Sequence, residues 1–268
     1  MPTPLTRLVR TTAALGLIAL AATLPLGAAA QPAQAARPTI VLVHGAFAES
    51  SSWDGVVRRL QAQHYPVIAA ANPLRGVKSD ASTIAAIVDS TQGPVVLVGH
   101  SYGGSVISQA ALGKPNVKAL VFVAAFAPEE GETAVELSGR FPGSTLGPTL
   151  APAVTLTEGG KDLYIEQGKF RDQFAADVPA AAARLMAAAQ RPVTEAALNE
   201  PAASPAWKTV PSYFVYGDRD KNIPAAAQAF MAQRAKSLKT VVVKGASHVV
   251  MTSQPDAVAK LIVEAATH

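Results

Sequence analysis

From residue 39 onward the chain alternates short apolar runs with longer helical patterns, and this rhythm constrains its fold more than any other feature. Six runs read as strands: "TIVLV" (39–43), "PVIAA" (66–70), "PVVLVG" (94–99), "KALVFVAAF" (118–126), "PSYFVYG" (211–217) and "TVVVKG" (240–245). Most are apolar almost throughout, the pattern of parallel strands buried on both faces. Helical patterns follow or separate them. "SSWDGVVRRLQAQ" opens on serines able to cap its first turn, and "DASTIAAIVDS" opens on an aspartate at a cap position. "SYGGSVISQAALG", "AAAQAFMAQRAKS" and "QPDAVAKLIVEAAT" complete the set. Strands alternating with helices predict the α/β class, a doubly wound, mostly parallel sheet with helices on both faces.

Residues 128 to about 206 break the rhythm. They hold no convincing strand, many Pro and Ala residues, and short helical patterns such as "ETAVELSGRF" and "VPAAAARLMAAAQ". The expectation is a mostly helical insertion between the fourth and fifth strands of one domain spanning 36–268.

Residues 1–35 read as a signal peptide. Arg7 and Arg10 precede an uncharged apolar run, and Ala33-Gln34-Ala35 stand at cleavage spacing before Ala36, with an earlier site after Ala30 as the alternative. The run is near the lower length limit for spanning a membrane, and Gly16, Pro25 and Gly27 interrupt it. No stable membrane insertion is expected after cleavage. The two arginines are not adjacent, so the general secretory route to the periplasm or medium is expected over the twin-arginine route. Cleavage removes both arginines and lowers the net charge from +4 to +2. With no basic block and no basic stripe interleaved with aromatics, nucleic-acid binding has no support. The chain has no cysteine, which excludes disulfides, thiolate catalysis and cysteine-bound metals.

The chemistry concentrates around "VVLVGHSYGGS", residues 95–105. The pattern G-x-S-x-G alone arises by chance in about one chain in ten of this length. Here a strand precedes it and a helix follows, the setting in which a serine sits on a sharp, strained turn. Gly99 and Gly103, two residues either side of Ser101, supply the small neighbours such a turn needs. A serine hydroxyl needs a base, and the base needs a carboxylate to orient it. Of five histidines, His268 is terminal, His64 ends an amphipathic helix, and His100 sits on the turn, pointing away from the serine. His44 opens the loop after the first strand and is expected to orient it by hydrogen bonds. His248, in "KGASHVV" after the last strand, lies late in the chain and at the carboxyl end of a strand, as the order serine, acid, histidine requires. "FVYGDRDKNIP" offers Asp218 and Asp220 as the acid. Asp220 is preferred because it lies one step further into the loop, just before Ile223-Pro224 opens a helix. Two backbone donors are needed for an oxyanion: Tyr102 N–H, next to the serine, and Ala46 N–H from "HGAF", with Phe47 as the alternative.

With "VLVHGAF", "VGHSYGGS", "YGDRDKNIP" and "GASHVV" in that order, the chain resembles the α/β-hydrolase superfamily along essentially the whole of residues 36–268. Within it, the chain is similar to bacterial hydrolases related to plant methyl-ester esterases and hydroxynitrile lyases. The resemblance implies a triad of Ser101, Asp220 and His248, the second aspartate of D-x-D being the acid, and a helical cap over the site at about 128–206. It also separates chemistries. Epoxide hydrolases and dehalogenases of this fold use an aspartate nucleophile, and position 101 is serine. Plant-type hydroxynitrile lyases carry threonine and lysine where this chain has Gly45 and Val249.

The expectation is therefore an exported serine carboxylesterase acting on esters of small, largely apolar molecules, with no metal or organic cofactor. The low aromatic content of the cap segment suggests an apolar, aliphatic lining. The alternatives are other triad chemistry on the same fold (amide or carbon–carbon cleavage, lyase chemistry, perhydrolysis) and a non-catalytic ligand-binding member.

Overall fold

A computed structural model describes residues 1–4 and 37–268. Apart from residues 1–4, the expected signal peptide, with Arg7, Arg10 and both cleavage positions, lies outside the described residues. Ala36–His268 pack as one unit.

In chain order the unit runs β1 (Thr39–Val43), α1 (Asp54–Ala62), β2 (Val67–Ala70), α2 (Val77–Ser90), β3 (Val95–His100), α3 (Gly103–Ala110) and β4 (Val117–Val123). Then come α4 (Ala134–Gly139), β5 (Val154–Thr155), β6 (Lys161–Leu163), α5 (Gln167–Phe174), α6 (Ala180–Ala189), β7 (Val193–Thr194) and α7 (Glu195–Asn199). The chain ends with β8 (Ser212–Gly217), α8 (Ala225–Arg234), β9 (Lys239–Val243), α9 (Val250–Ser253) and α10 (Pro255–Thr267).

Six strands form one sheet in the order β2-β1-β3-β4-β8-β9, and every pairing in it is parallel. All six expected strands are present. The expectation of burial on both faces holds for the central strands: β3 and β8 are buried throughout, and β1 and β4 nearly so. It fails at β2 and β9, which the strand order puts at the sheet edges. There Ile68 and Val242 are exposed, because helices cover an edge strand incompletely. α1 packs on α10 and α2 on α3, and both pairs contact the sheet.

Two helix starts differ from expectation. The serines before α1 form a 3₁₀ turn of their own, Ser50–Trp53. α2 begins at Val77, with Asp80 in its first turn rather than at the cap. Glu200 caps that helix instead, its carboxylate accepting the N–H groups of Val77 (2.6 Å) and Lys78 (3.1 Å).

Residues 128–206 are neither mostly helical nor strand-free, which corrects the sequence reading: helices cover less than half of the segment and loops most of the rest. β5, β6 and β7 form a small antiparallel sheet in that order. Strands of two or three residues are too short to show a period-2 pattern.

A parallel sheet delivers the loops after β1, β3, β8 and β9 to the same edge. Adjacency of β1 and β3, with Val43 level with Gly99, sets the loop beginning at His44 beside Ser101.

Candidate active site

β3 ends at His100 and α3 begins at Gly103, so the chain reverses within two residues. Ser101 takes the strain, with φ at 53°, a left-handed conformation that non-glycine residues rarely adopt. Its carbonyl accepts Gly104 N–H (2.9 Å) and Phe126 N–H (3.1 Å), and its own N–H donates to Val123 (3.2 Å). The turn is tight enough that a Cβ on Gly99 would stand 2.5 Å from the Gly103 carbonyl, and one on Gly103 would stand 2.5 Å from the Val43 carbonyl. Both sites therefore require glycine.

Asp220 and His248 meet. His248 Nδ1 donates to Asp220 Oδ2 at 2.7 Å, with both side chains essentially inaccessible to solvent. The remaining lone pairs of Asp220 are filled: Oδ1 accepts Asn222 N–H (2.8 Å) and Ile223 N–H (3.0 Å), and Oδ2 also accepts Gln228 Nε2–H (2.9 Å). Every hydrogen-bond neighbour of the carboxylate is a donor, so Asp220 faces the imidazole as an acceptor. Asp218 is exposed and accepts Gly245 N–H at 2.6 Å, far from this role. With Nδ1 protonated, His248 presents Nε2 as a free lone pair. Ser101 and His248 both line one cavity of about 430 Å³.

The loop after β1 separates the two backbone donors. Phe47 N–H is taken by the Arg191 carbonyl at 2.9 Å. Ala46 N–H and Tyr102 N–H donate to no protein acceptor among the described residues, and both residues line the cavity. His44 holds this loop: Nδ1 donates to the Gly45 carbonyl (3.0 Å), Nε2 accepts Asn72 N–H (3.0 Å), and the His44 carbonyl accepts Asn72 Nδ2–H (2.9 Å). Burial lowers its pKa, consistent with this neutral tautomer.

His100 points away from the cavity but not out of the site. Its ring stands 4.8 Å from the His248 ring, and Nε2 donates to the His248 carbonyl at 3.2 Å. Tyr102 was expected only for its N–H, yet its phenol is also anchored, donating to Asp80 Oδ2 at 2.9 Å. Asp80 also accepts Arg75 N–H at 3.1 Å. Burial pushes Asp80 above the usual carboxylate range, against these donors. Burial and the Asp80 charge together push the Tyr102 phenol up. Asp80 read as a helix cap because only the fold reveals that its helix faces the serine turn.

Beyond the polar floor most of the cavity wall is apolar, with Ser138, Ser144, Asn199 and Glu195 as polar side chains on it. Val135, Leu146, Leu150, Leu163 and Leu198 line it, together with Phe47, Phe126 and Phe174. The apolar part of the lining that residues 128–206 supply is aliphatic as expected apart from Phe174, whereas Phe47 and Phe126 come from loops after β1 and β4. Glu195 is the one carboxylate on the wall, and no Lys or Arg lines it among the described residues. No cluster of three or more His, Asp or Glu side chains able to hold a metal occurs among them, and none of their helices is long and apolar enough to cross a membrane.

A doubly wound parallel sheet that gathers a strained serine, a histidine and a buried aspartate at its carboxyl edge is the architecture of the α/β hydrolases. Residues 40–261 match the alpha/beta hydrolase family, and the chain belongs to that family and is a hydrolase. It is 27% identical over 253 residues to an α/β hydrolase of Aspergillus novofumigatus, covering 86% of this chain and 97% of that protein. It is 28% identical over 251 residues to the pimeloyl-acyl-carrier-protein methyl ester esterase of Xanthomonas campestris pv. campestris, covering 84% of this chain and 93% of that one. The crystal structure of polyneuridine aldehyde esterase superposes with a TM-score of 0.73 at 18% identity, over 85% of this chain and 98% of that chain, a likeness of fold.

Proposed function

We propose that this chain hydrolyses carboxylic esters of small, largely apolar molecules through Ser101, His248 and Asp220 and an acyl-enzyme. The observation that carries the reading is the buried 2.7 Å bond between His248 Nδ1 and Asp220, which leaves Nε2 free in the cavity that Ser101 also lines. Ser101 Oγ attacks the ester carbonyl while His248 Nε2 takes its proton. Ala46 N–H and Tyr102 N–H receive the oxyanion, and the start of α3 adds a favourable dipole. His248 then protonates the departing alcohol, and water attacks the acyl-serine by the same route. Asp220 stays ionised and stabilises the imidazolium. The apolar walls favour an uncharged aliphatic or aromatic substrate.

Position 45 speaks against the lyase alternative. A Cβ there would stand 2.6 Å from Ser101 Cβ, so the threonine of plant-type lyases has no room. The same reading takes 36–268 as a single catalytic domain with 128–206 as its cap. It takes 1–35 as a cleaved signal for export by the general secretory route, on the basic start, apolar run and small-residue site of the sequence. N-terminal sequencing of secreted protein tests export: a start at Gln31 or Ala36 is expected, and an intact Met1 contradicts it.

Turnover of p-nitrophenyl acetate and butyrate by wild type and Ser101→Ala tests the chemistry. The expected loss in the variant is at least about 10⁴-fold in kcat. Equal turnover by both proteins would contradict the mechanism.

A further inference from the structure

The insertion does more than roof the cavity. α5 and the turn after it reach His248 directly, and the neighbours of His248 and Asp220, through three side chains within five positions. Gln173 is buried, and its Nε2 donates to the Lys221 carbonyl (3.0 Å) and to Asn222 Oδ1 (2.7 Å), while its Oε1 accepts the Thr145 hydroxyl (2.8 Å). Asn222 in turn donates its N–H to Asp220. Phe174 places its ring 5.1 Å from the His248 ring. Asp177 Oδ1 accepts the Ser247 N–H at 3.1 Å and also the Ser247 hydroxyl. Ser247 is buried and directly precedes His248.

We propose that α5 and its following turn belong to the catalytic apparatus, with Asp177 the positioning residue for His248. The main chain at this histidine is gripped from two sides. Asp177 holds the N–H of residue 247 from the insertion, and His100 holds the carbonyl of residue 248 from the sheet. Between the two grips the imidazole is pinned by Asp220 at Nδ1 and by the Phe174 ring. A base must stay within a few tenths of an ångström of its working position, and about 1 Å of misplacement costs up to about 10²-fold in rate. Asp177 is itself exposed, so removing it leaves no buried charge or cavity; it does release the Ser247 N–H and hydroxyl, so activity is read per folded molecule and against Asp177→Asn, which keeps an acceptor.

This inference rests on His248 being the general base. Asp177→Ala is expected to lower kcat on p-nitrophenyl butyrate about 10-fold or more, with KM within about 2-fold. Labelling of Ser101 by a fluorophosphonate should slow by the same factor per folded molecule, while the thermal midpoint falls by about 2–6 °C, leaving the variant folded at the assay temperature. Asp177→Asn keeps an acceptor oxygen for Ser247 and is expected to recover most of the loss. Wild-type kcat in Asp177→Ala, a change in KM alone, or activity lost only in proportion to folded protein would each overturn the proposal. His248→Ala separates the two claims. Wild-type turnover in that variant would remove the base itself, whereas an inactive His248→Ala beside a fully active Asp177→Ala would remove only the positioning role.

Discussion

His100 Nε2–H donates to the carbonyl of His248 at 3.2 Å, across 148 positions of sequence. The bond fixes Nε2 as the protonated nitrogen, and His100 Nδ1 is buried with no hydrogen-bond partner among the described residues. Burial first, and then the nearness of His248, holds the His100 pKa well below the ordinary histidine value. The histidine beside the serine is thus a neutral wall for His248, the proposed base. In the proposed cycle, His248 becomes an imidazolium next to a ring that carries no competing charge.

The first prediction is a pH dependence of stability. His100 and His44 both have lowered pKa values in the folded chain, so the unfolded chain binds more protons below about pH 6.5. Stability falls as pH falls, by up to about 1.4 kcal/mol per pH unit for each histidine. Asp80 works in the opposite sense at the acid end, since its raised pKa favours proton uptake by the folded chain. Melting curves between pH 7.5 and 5 should show a falling midpoint, with a shallower slope in His100→Gln. A flat profile in the wild type contradicts the assignment.

A second prediction concerns the acid. In Asp220→Asn the amide oxygen would be claimed by the Asn222 and Ile223 N–H groups, leaving Nδ2 against His248 Nδ1. That forces the tautomer with Nε2 protonated, which cannot act as a base. The expected loss is about 10⁴-fold in kcat at near-normal KM, while Asp218→Asn stays within about 2-fold of wild type. Steady-state kinetics on the two variants distinguish the neighbouring aspartates, and equal effects contradict the choice of Asp220.

Asp80 should matter first for stability. Its removal in Asp80→Ala strands Arg75 N–H and the Tyr102 hydroxyl without their acceptor. The expected cost is about 2–4 kcal/mol, read as a lower urea midpoint. An unchanged midpoint would show that water replaces the carboxylate freely.

The cavity wall predicts a charge preference. Glu195 lies on it and pairs only loosely with Lys161, at 3.8 Å, both side chains being more than half exposed. A substrate carboxylate would meet this charge and no cation among the lining residues. In kcat/KM, p-nitrophenyl butyrate should exceed mono-p-nitrophenyl succinate by about 3- to 10-fold, and Glu195→Lys should narrow the gap. Equal use of the two esters by the wild type removes the argument.

The parts of this molecule legible in the sequence are those written locally. β3, the turn at Ser101 and α3 declare themselves by a buried run, two glycines and a helical pattern within sixteen residues. Asp220 and His248 follow from their positions after strands, and the structure brings them into contact. What stayed hidden depends on tertiary placement. β2 and β9 look like β1 until the strand order puts them at the edges. β5 to β7 are too short for any period. Asp80, Gln173 and Asp177 are ordinary helix and turn residues until the fold sets them beside Tyr102, Asn222 and Ser247. That Phe47 N–H is occupied while Ala46 N–H is not rests on one hydrogen bond, Phe47 N–H to the Arg191 carbonyl, made across about half the chain.

The proposed chemistry stands on Ser101 being a nucleophile activated by His248. Treating the purified protein with a fluorophosphonate and mapping the adduct by peptide mass spectrometry tests it most directly. One adduct per chain is expected, on Ser101, absent in Ser101→Ala and formed at least about 10³-fold more slowly in His248→Ala. An unlabelled, folded wild-type protein, or an adduct formed equally well without His248, would contradict it.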